Sequence, residues 1–207
     1  MRNFTAGYIV IGEWLFKVII LNLFWFLFMI AGLGLFGIFP ATAALFATIR
    51  KDLIEEKDIK LFSTFWHYFK TDFLKANLLG YFLTIIGGLL IFNIRVLGQL
   101  EGSILNSILM VVTYILLAIL ALIAIYIFPV FVHFQLRFLE YIKYSSVLII
   151  GKPLHTIVSV LLIAGIFTGF YMVPGLIPVV GSSIIAYVLM KIALSSFAKK
   201  EEESISN

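Results

Sequence analysis

The chain has 207 residues, 62% of them hydrophobic and only 13% charged, which is too apolar for a soluble globular protein with about half apolar and about a quarter charged residues. The absence of cysteine excludes a disulfide framework, a thiolate nucleophile and a Cys-ligated zinc site. The net charge of +4 is spread over several loops, which is the pattern of the positive-inside bias of membrane proteins and not of a nucleic-acid surface.

Residues 1–17 are mixed. Tyr8, Ile11, Leu15 and Val18 recur at helical spacing with Glu13 and Lys17 four apart, which predicts a helix at the water–lipid boundary leading into the first span. From Val18 to Ile49 no charge occurs. As one straight helix this run would extend roughly 48 Å against a hydrocarbon core of about 30 Å, so it has to break. Gly32, Gly34, Gly37 and Pro40 supply the means, since glycine weakens a helix and proline removes a backbone donor. The reading is a span over 18–37, a turn at Gly37–Pro40, and a second helix opened by Pro40-Ala41-Thr42 with Pro40 in its first turn. The segment 42–58 is apolar at first and then densely charged, so it emerges from the membrane or lies along its surface.

Leu61 to Asn77 carries Phe62, Phe65, Trp66, Phe69 and Phe73 on one helical face and His67, Lys70, Thr71 and Lys75 elsewhere, which predicts an amphipathic interfacial helix. Further spans are predicted at 78–94, 104–128, 157–173 and 176–197. The helix of the third continues past Pro129 with a kink, carrying Val132, Leu136 and Leu139 on one side. Pro174, Gly175 and Pro178 enforce a tight hairpin between the last two spans. Residues 1–198 form one transmembrane domain, and 199–207 read as a disordered polar tail. The predicted fold is therefore an all-α polytopic transmembrane helical bundle with five spans, or six if 40–49 returns through the membrane, plus an amphipathic interfacial helix.

Orientation follows from the cations. With five spans, the face holding 50–75, 129–153 and the C-terminal end carries twelve of the fifteen Lys and Arg, against Arg2, Lys17 and Arg95 opposite. That face, with the C-terminus, is predicted to be cytoplasmic in a plasma membrane.

No constellation carries a reaction. Ser63-Thr64-Phe65-Trp66-His67 holds hydroxyls and a histidine, without G-x-S-x-G or an orienting acid. His133, Arg137 and Glu140 are spaced to share one helical face, readable as an ion-pair strip, a docking strip or a proton relay. His155 stands apart, and no histidine spacing suits a metal. Asn22 lies inside the first span with Trp25 close by, where it hydrogen-bonds a neighbouring helix or holds a ligand. Gly80-x-x-x-Thr84-x-x-x-Gly88 and Gly165-x-x-x-Gly169 are small-residue faces suited to close helix packing. The spans almost lack acidic residues, which argues against an ion-coupled carrier or an intramembrane protease, and without a Walker A motif any ATP-driven role needs a separate ATPase.

Leu21-Asn22-Leu23-Phe24-Trp25, then Phe39-Pro40-Ala41-Thr42-Ala43-Ala44-Leu45-Phe46 followed by Arg50-Lys51, and then Thr64-Phe65-Trp66-His67-Tyr68-Phe69-Lys70, resemble the YesL-type family of bacterial integral membrane proteins, a family of unknown function. The resemblance extends in length and span layout over essentially the whole chain. Members are typically encoded in Gram-positive bacteria beside sugar ABC importers and polysaccharide-degrading enzymes. The resemblance thus implies a role in oligosaccharide uptake and brings no catalytic residues, cofactor or metal. The expectation is a non-enzymatic accessory protein in the lipid bilayer that binds ABC permease subunits or itself. The alternatives are a small permease or channel, or a membrane enzyme acting on lipids or glycans. The expected partner-contact or structural-motif residues are Asn22, Trp25, Pro40, Thr42, Arg50, Lys51, Trp66, Lys70 and Arg137.

Overall fold

The structure is a computed structural model that describes residues 2–55, 59–100 and 103–205. Among them it is all-α. The helices are α1 (Arg2–Ala31), α2 (Leu35–Ile54), α3 (Leu61–Thr71), α4 (Phe73–Leu97), α5 (Ile104–His133), α6 (Phe138–Gly151), α7 (Pro153–Met172) and α8 (Ile177–Ile205), with one 3-10 turn at Pro174–Leu176. Among the described residues five stretches are long and apolar enough to cross a membrane: Ile11–Ala31, Phe73–Leu97, Ile104–His133, Pro153–Met172 and Pro174–Phe197. The predicted helical bundle is what the chain forms.

The break in the long apolar run falls earlier than Gly37–Pro40. α1 stops at Ala31, and the chain reverses through Leu33 and Gly34, whose φ values of 62° and 72° lie in the left-handed region. Gly34 takes that conformation at little cost, whereas Leu33 is held there by the turn. Gly32 and Gly37 face each other across the reversal. A Cβ on Gly32 would collide with Gly37, and one on Gly37 with the Met29 carbonyl. Pro40 consequently lies inside α2 and does not open it. Its missing N–H leaves the Phe36 carbonyl without a helical partner, and Asn77 Nδ2 of α4 donates to that oxygen at 2.9 Å.

α2 is the central element and packs against α1, α3, α4, α5 and α8. Its alanines explain this. Ala41, Ala43, Ala44 and Ala47 are buried with Leu45 and Ile49, and small side chains let neighbouring backbones approach. α2 runs back along α1, since Trp25 meets Thr42 and Lys17 meets Asp52. α5 runs parallel to α2, with Phe46 beside Phe128 and Arg50 beside His133. Phe197 of α8 packs on His133. One end of the bundle therefore gathers the N-terminal half of α1 and the C-terminal ends of α2, α5 and the α8 span. The Gly32–Gly34 turn lies at the other.

Two predicted helices are divided differently. The amphipathic segment Leu61–Asn77 stops at Thr71, and Ala76 and Asn77 belong to α4. Its aromatic face meets protein: Phe65 and Phe69 are buried 5.1 and 5.0 Å from the Phe28 ring, while Phe62 and Trp66 stay exposed. α5 does pass Pro129 as a helix, but it ends at His133, and residues 134–137 are not helical. α6 then starts afresh, with the Glu140 carboxylate accepting the Arg137 N–H at 2.8 Å. His133, Arg137 and Glu140 therefore do not share a helical face. α8 continues as helix to Ile205, into the stretch predicted to be a tail. Glu56, Lys57 and Asp58 of the charged segment, and residues 206–207, lie outside the described residues.

Candidate functional site

The residues singled out in the first span are joined to other helices. Asn22 is fully buried. Its Nδ2 donates to the Pro178 carbonyl at 2.7 Å, and its Oδ1 accepts the Ser182 N–H at 3.0 Å and the Ser182 hydroxyl at 2.7 Å. An uninterrupted helix pairs the carbonyl of 178 with the N–H of 182, so the Asn22 carboxamide bridges one rung of α8. Trp25 Nε1 donates to the Thr42 hydroxyl at 3.0 Å, and that hydroxyl donates to the Ile38 carbonyl at 2.8 Å. Asn22, Trp25, Pro40 and Thr42 thus fasten α1, α2, α4 and α8 to one another, and none of their hydrogen-bonding groups is left facing outward for a partner.

A second polar cluster escaped the sequence reading. Lys17 Nζ lies 2.7 Å from Asp52 Oδ1, and the Tyr187 hydroxyl donates to Asp52 Oδ2. The Asp52 side chain is only 9% exposed. An acidic residue is therefore enclosed where α1, α2 and α8 meet. The charged run Arg50-Lys51-Asp52 masks it in the sequence, because its cation is 35 positions away and its hydroxyl 135.

A concavity opens at the Arg50 end, between the C-terminus of α2, the α3–α4 junction, and the α5–α6 connection. It encloses about 800 Å³. Arg50, Lys75 and Arg137 supply cations to its wall, His67 and His133 imidazoles, and Asp72 and Glu140 carboxylates. Arg50 Nε donates to His133 Nδ1 at 3.0 Å, which requires that nitrogen to be unprotonated. Burial pushes the Asp72 carboxyl above its ordinary value of 3.8, against the opposing pull of Lys75 and His67. On the adjoining face of α3, Lys70 Nζ stands 4.1 Å from the centre of the Trp66 ring. Lys51 pairs with Glu55, the residue that follows α2, at 3.7 Å. Arg50 and Arg137, remote in sequence, line one cleft; Lys51, Trp66 and Lys70 do not join them there. Among the described residues no group of His, Asp or Glu is arranged to hold a metal ion.

The small-residue faces differ from each other. The Phe39 ring fills the space where a Cβ on Gly80 would lie, whereas Gly88, Gly165 and Gly169 have open space beside them.

A family model described as a protein of unknown function, DUF624, matches residues 18–94. The chain is 32% identical to the uncharacterized protein YteU of Bacillus subtilis over 92% of its length and 85% of that protein's. It is 34% identical to the uncharacterized protein YesV of the same organism, over 90% of this chain and 89% of that one. This chain belongs to the DUF624 family. The uncharacterized protein YesL of Bacillus subtilis is similar too, at 25% identity over 91% of this chain and 88% of YesL. No solved structure matches. The stretch matched by the DUF624 model holds Trp25, Pro40, Thr42 and Asn77, which join α1, α2 and α4, Asn22, which joins α1 to α8, and the cleft residues Arg50 and Lys75.

Proposed function

We propose that this DUF624 protein is a non-enzymatic accessory protein of a carbohydrate ABC import system in the bacterial plasma membrane, docked on the permease subunits. The observation that carries this reading is the α4–α5 hairpin. Asn93 and Thr113 hydrogen-bond across it at 3.0 Å, and Asn106 Nδ2 donates to the Leu97 carbonyl at 2.9 Å, so these groups fasten the two helices to each other. Outward it leaves Ile85, Leu89, Phe92, Ile108 and Ile115 exposed. Such an apolar two-helix arm suits packing against the spans of another membrane protein. The sugar-import setting comes from the family resemblance. The Arg50 end is the cytoplasmic one in this reading, as the cation bias requires.

A small permease is the second reading, and the 800 Å³ cleft is what favours it. Beyond Ala47 and Phe131 in its wall, however, the interior is aliphatic: Ala44, Leu45, Ile127 and Val130 are all buried.

Photo-crosslinking in a native host separates the readings. A benzophenone side chain at Phe92 or Ile108 is expected to capture ABC permease subunits, identified by mass spectrometry, and one at Leu161 on α7 is not. Absence of permease subunits from both hairpin adducts refutes the docking. Solute uptake by proteoliposomes containing this chain alone supports the permease instead.

A further inference from the structure

The cleft at the Arg50 end is not only cationic; it also opens onto an apolar pocket. Lys75, Phe131, Leu136 and Tyr141 line both the cleft and a neighbouring space of about 170 Å³, which Leu78, Leu79 and Phe138 complete between α4 and α6. Among the described residues no carboxylate lies within ion-pair distance of Arg50, Lys75 or Arg137. One of the two acids in the wall, Glu140, already accepts the Arg137 backbone N–H. The level in the bundle is also distinctive. The α4 span begins at Phe73 and the α5 span ends at His133, so the cleft sits where two spans leave the apolar layer. Trp66 and Lys70 on the adjoining helix are residues suited to the headgroup region. Cations beside an apolar slot at that depth match a molecule with a phosphate at one end and a hydrocarbon chain at the other.

We propose that this composite cavity binds an anionic phospholipid, with the phosphodiester against Arg50, Lys75 and Arg137 and an acyl chain in the slot lined by Leu78, Leu79 and Phe138. Arg50 is the positioning cation. Its Nε is committed to His133, which orients the remaining guanidinium donors for a phosphate oxygen. A soluble phosphorylated compound shares the phosphate chemistry but makes no use of the slot.

The test is native mass spectrometry of the full chain released from nanodiscs of mixed phosphatidylglycerol and phosphatidylcholine. The wild type is expected to retain phosphatidylglycerol preferentially. Arg50→Gln and Arg137→Gln each lower that retention about fivefold, the effect of removing one cation near a lipid phosphate. Leu78→Trp, which fills the slot from an exposed position, lowers it as well. Arg137 is exposed, so its variant remains informative if Arg50→Gln misfolds. Equal retention of the two lipids, or retention unchanged in Arg137→Gln and Leu78→Trp, overturns the proposal. So does competition by inorganic phosphate combined with wild-type retention in Leu78→Trp, which assigns the cleft to a soluble anion.

Discussion

At Asp52 three helices are held by one carboxylate, with Lys17 on one oxygen and Tyr187 on the other. A nearly enclosed charge that loses its counter-charge leaves the other stranded, which costs more than removing both. Lys17→Met is therefore expected to destabilise the bundle by about 3 kcal/mol, and Asp52→Leu by a similar amount. The double variant should lose less than the sum of the two. Thermal unfolding of the purified protein in detergent measures this cycle, and additive losses would mean that the pair is not coupled. Asn22 works differently. It is neutral, and its carboxamide replaces what the Pro178–Ser182 rung of α8 would otherwise satisfy alone. Its value is geometric, since it sets the register of α1 against α8.

The hairpin of α1 and α2 is the element on which the others are built, and its two irregularities have different causes. The reversal depends on Gly34, in its left-handed conformation, and on the Gly32–Gly37 contact, where there is no room for side chains. Pro40 depends on another helix, because Asn77 of α4 supplies the donor that Pro40 cannot. This coupling is measurable. Asn77→Leu leaves the Phe36 carbonyl unpaired and is expected to cost about 1–3 kcal/mol. In a Pro40→Ala background the new backbone N–H serves that carbonyl, and the same Asn77→Leu change should then cost markedly less. Equal costs in the two backgrounds, read from unfolding temperatures, would show that Asn77 does not act through the proline.

For the whole molecule, the antiparallel course of α2 along α1 bears on which side the N-terminus occupies. Lys17 lies at the same end as Asp52, next to Arg50 and Lys51. If the apolar part of α2 crosses the membrane, sheltered by its five neighbours, Arg2 and Lys17 join the other cations and Arg95 alone stands opposite. That is a stronger positive-inside bias than the five-span arrangement produces. Reporters fused before Met1 and after Asn207 are accordingly expected to read cytoplasmic. With no native cysteine in the chain, Gln99→Cys offers a single thiol, which an impermeant maleimide should label from outside intact cells. An external reading at Met1 would exclude the sixth pass.

Much of this architecture is local and was legible in the sequence. Uncharged runs with lengths near the membrane thickness mark the spans at α4, α5, α7 and α8, because burial in lipid acts on every residue of a helix. The glycines and Pro40 mark that the long first run must break, and the aromatic period of α3 marks its buried face. The position of the break was not legible, because any of Gly32, Gly34 and Gly37 permits a turn. Packing at Gly32 and Gly37, together with a donor from Asn77, selected Gly34 and left Pro40 inside a helix. The end of α5 was likewise hidden, since its residues past Pro129 keep a helical pattern until the Arg137–Glu140 pair starts α6. The partners of Asn22, Asp52 and Arg50 lie 160, 135 and 83 positions away, and no local period encodes such distances. Composition and periodicity thus determined which segments are long and apolar enough to cross a membrane. Only tertiary packing decided which polar groups fasten them together and which are left to line the cleft, because that choice depends on side chains meeting across helices.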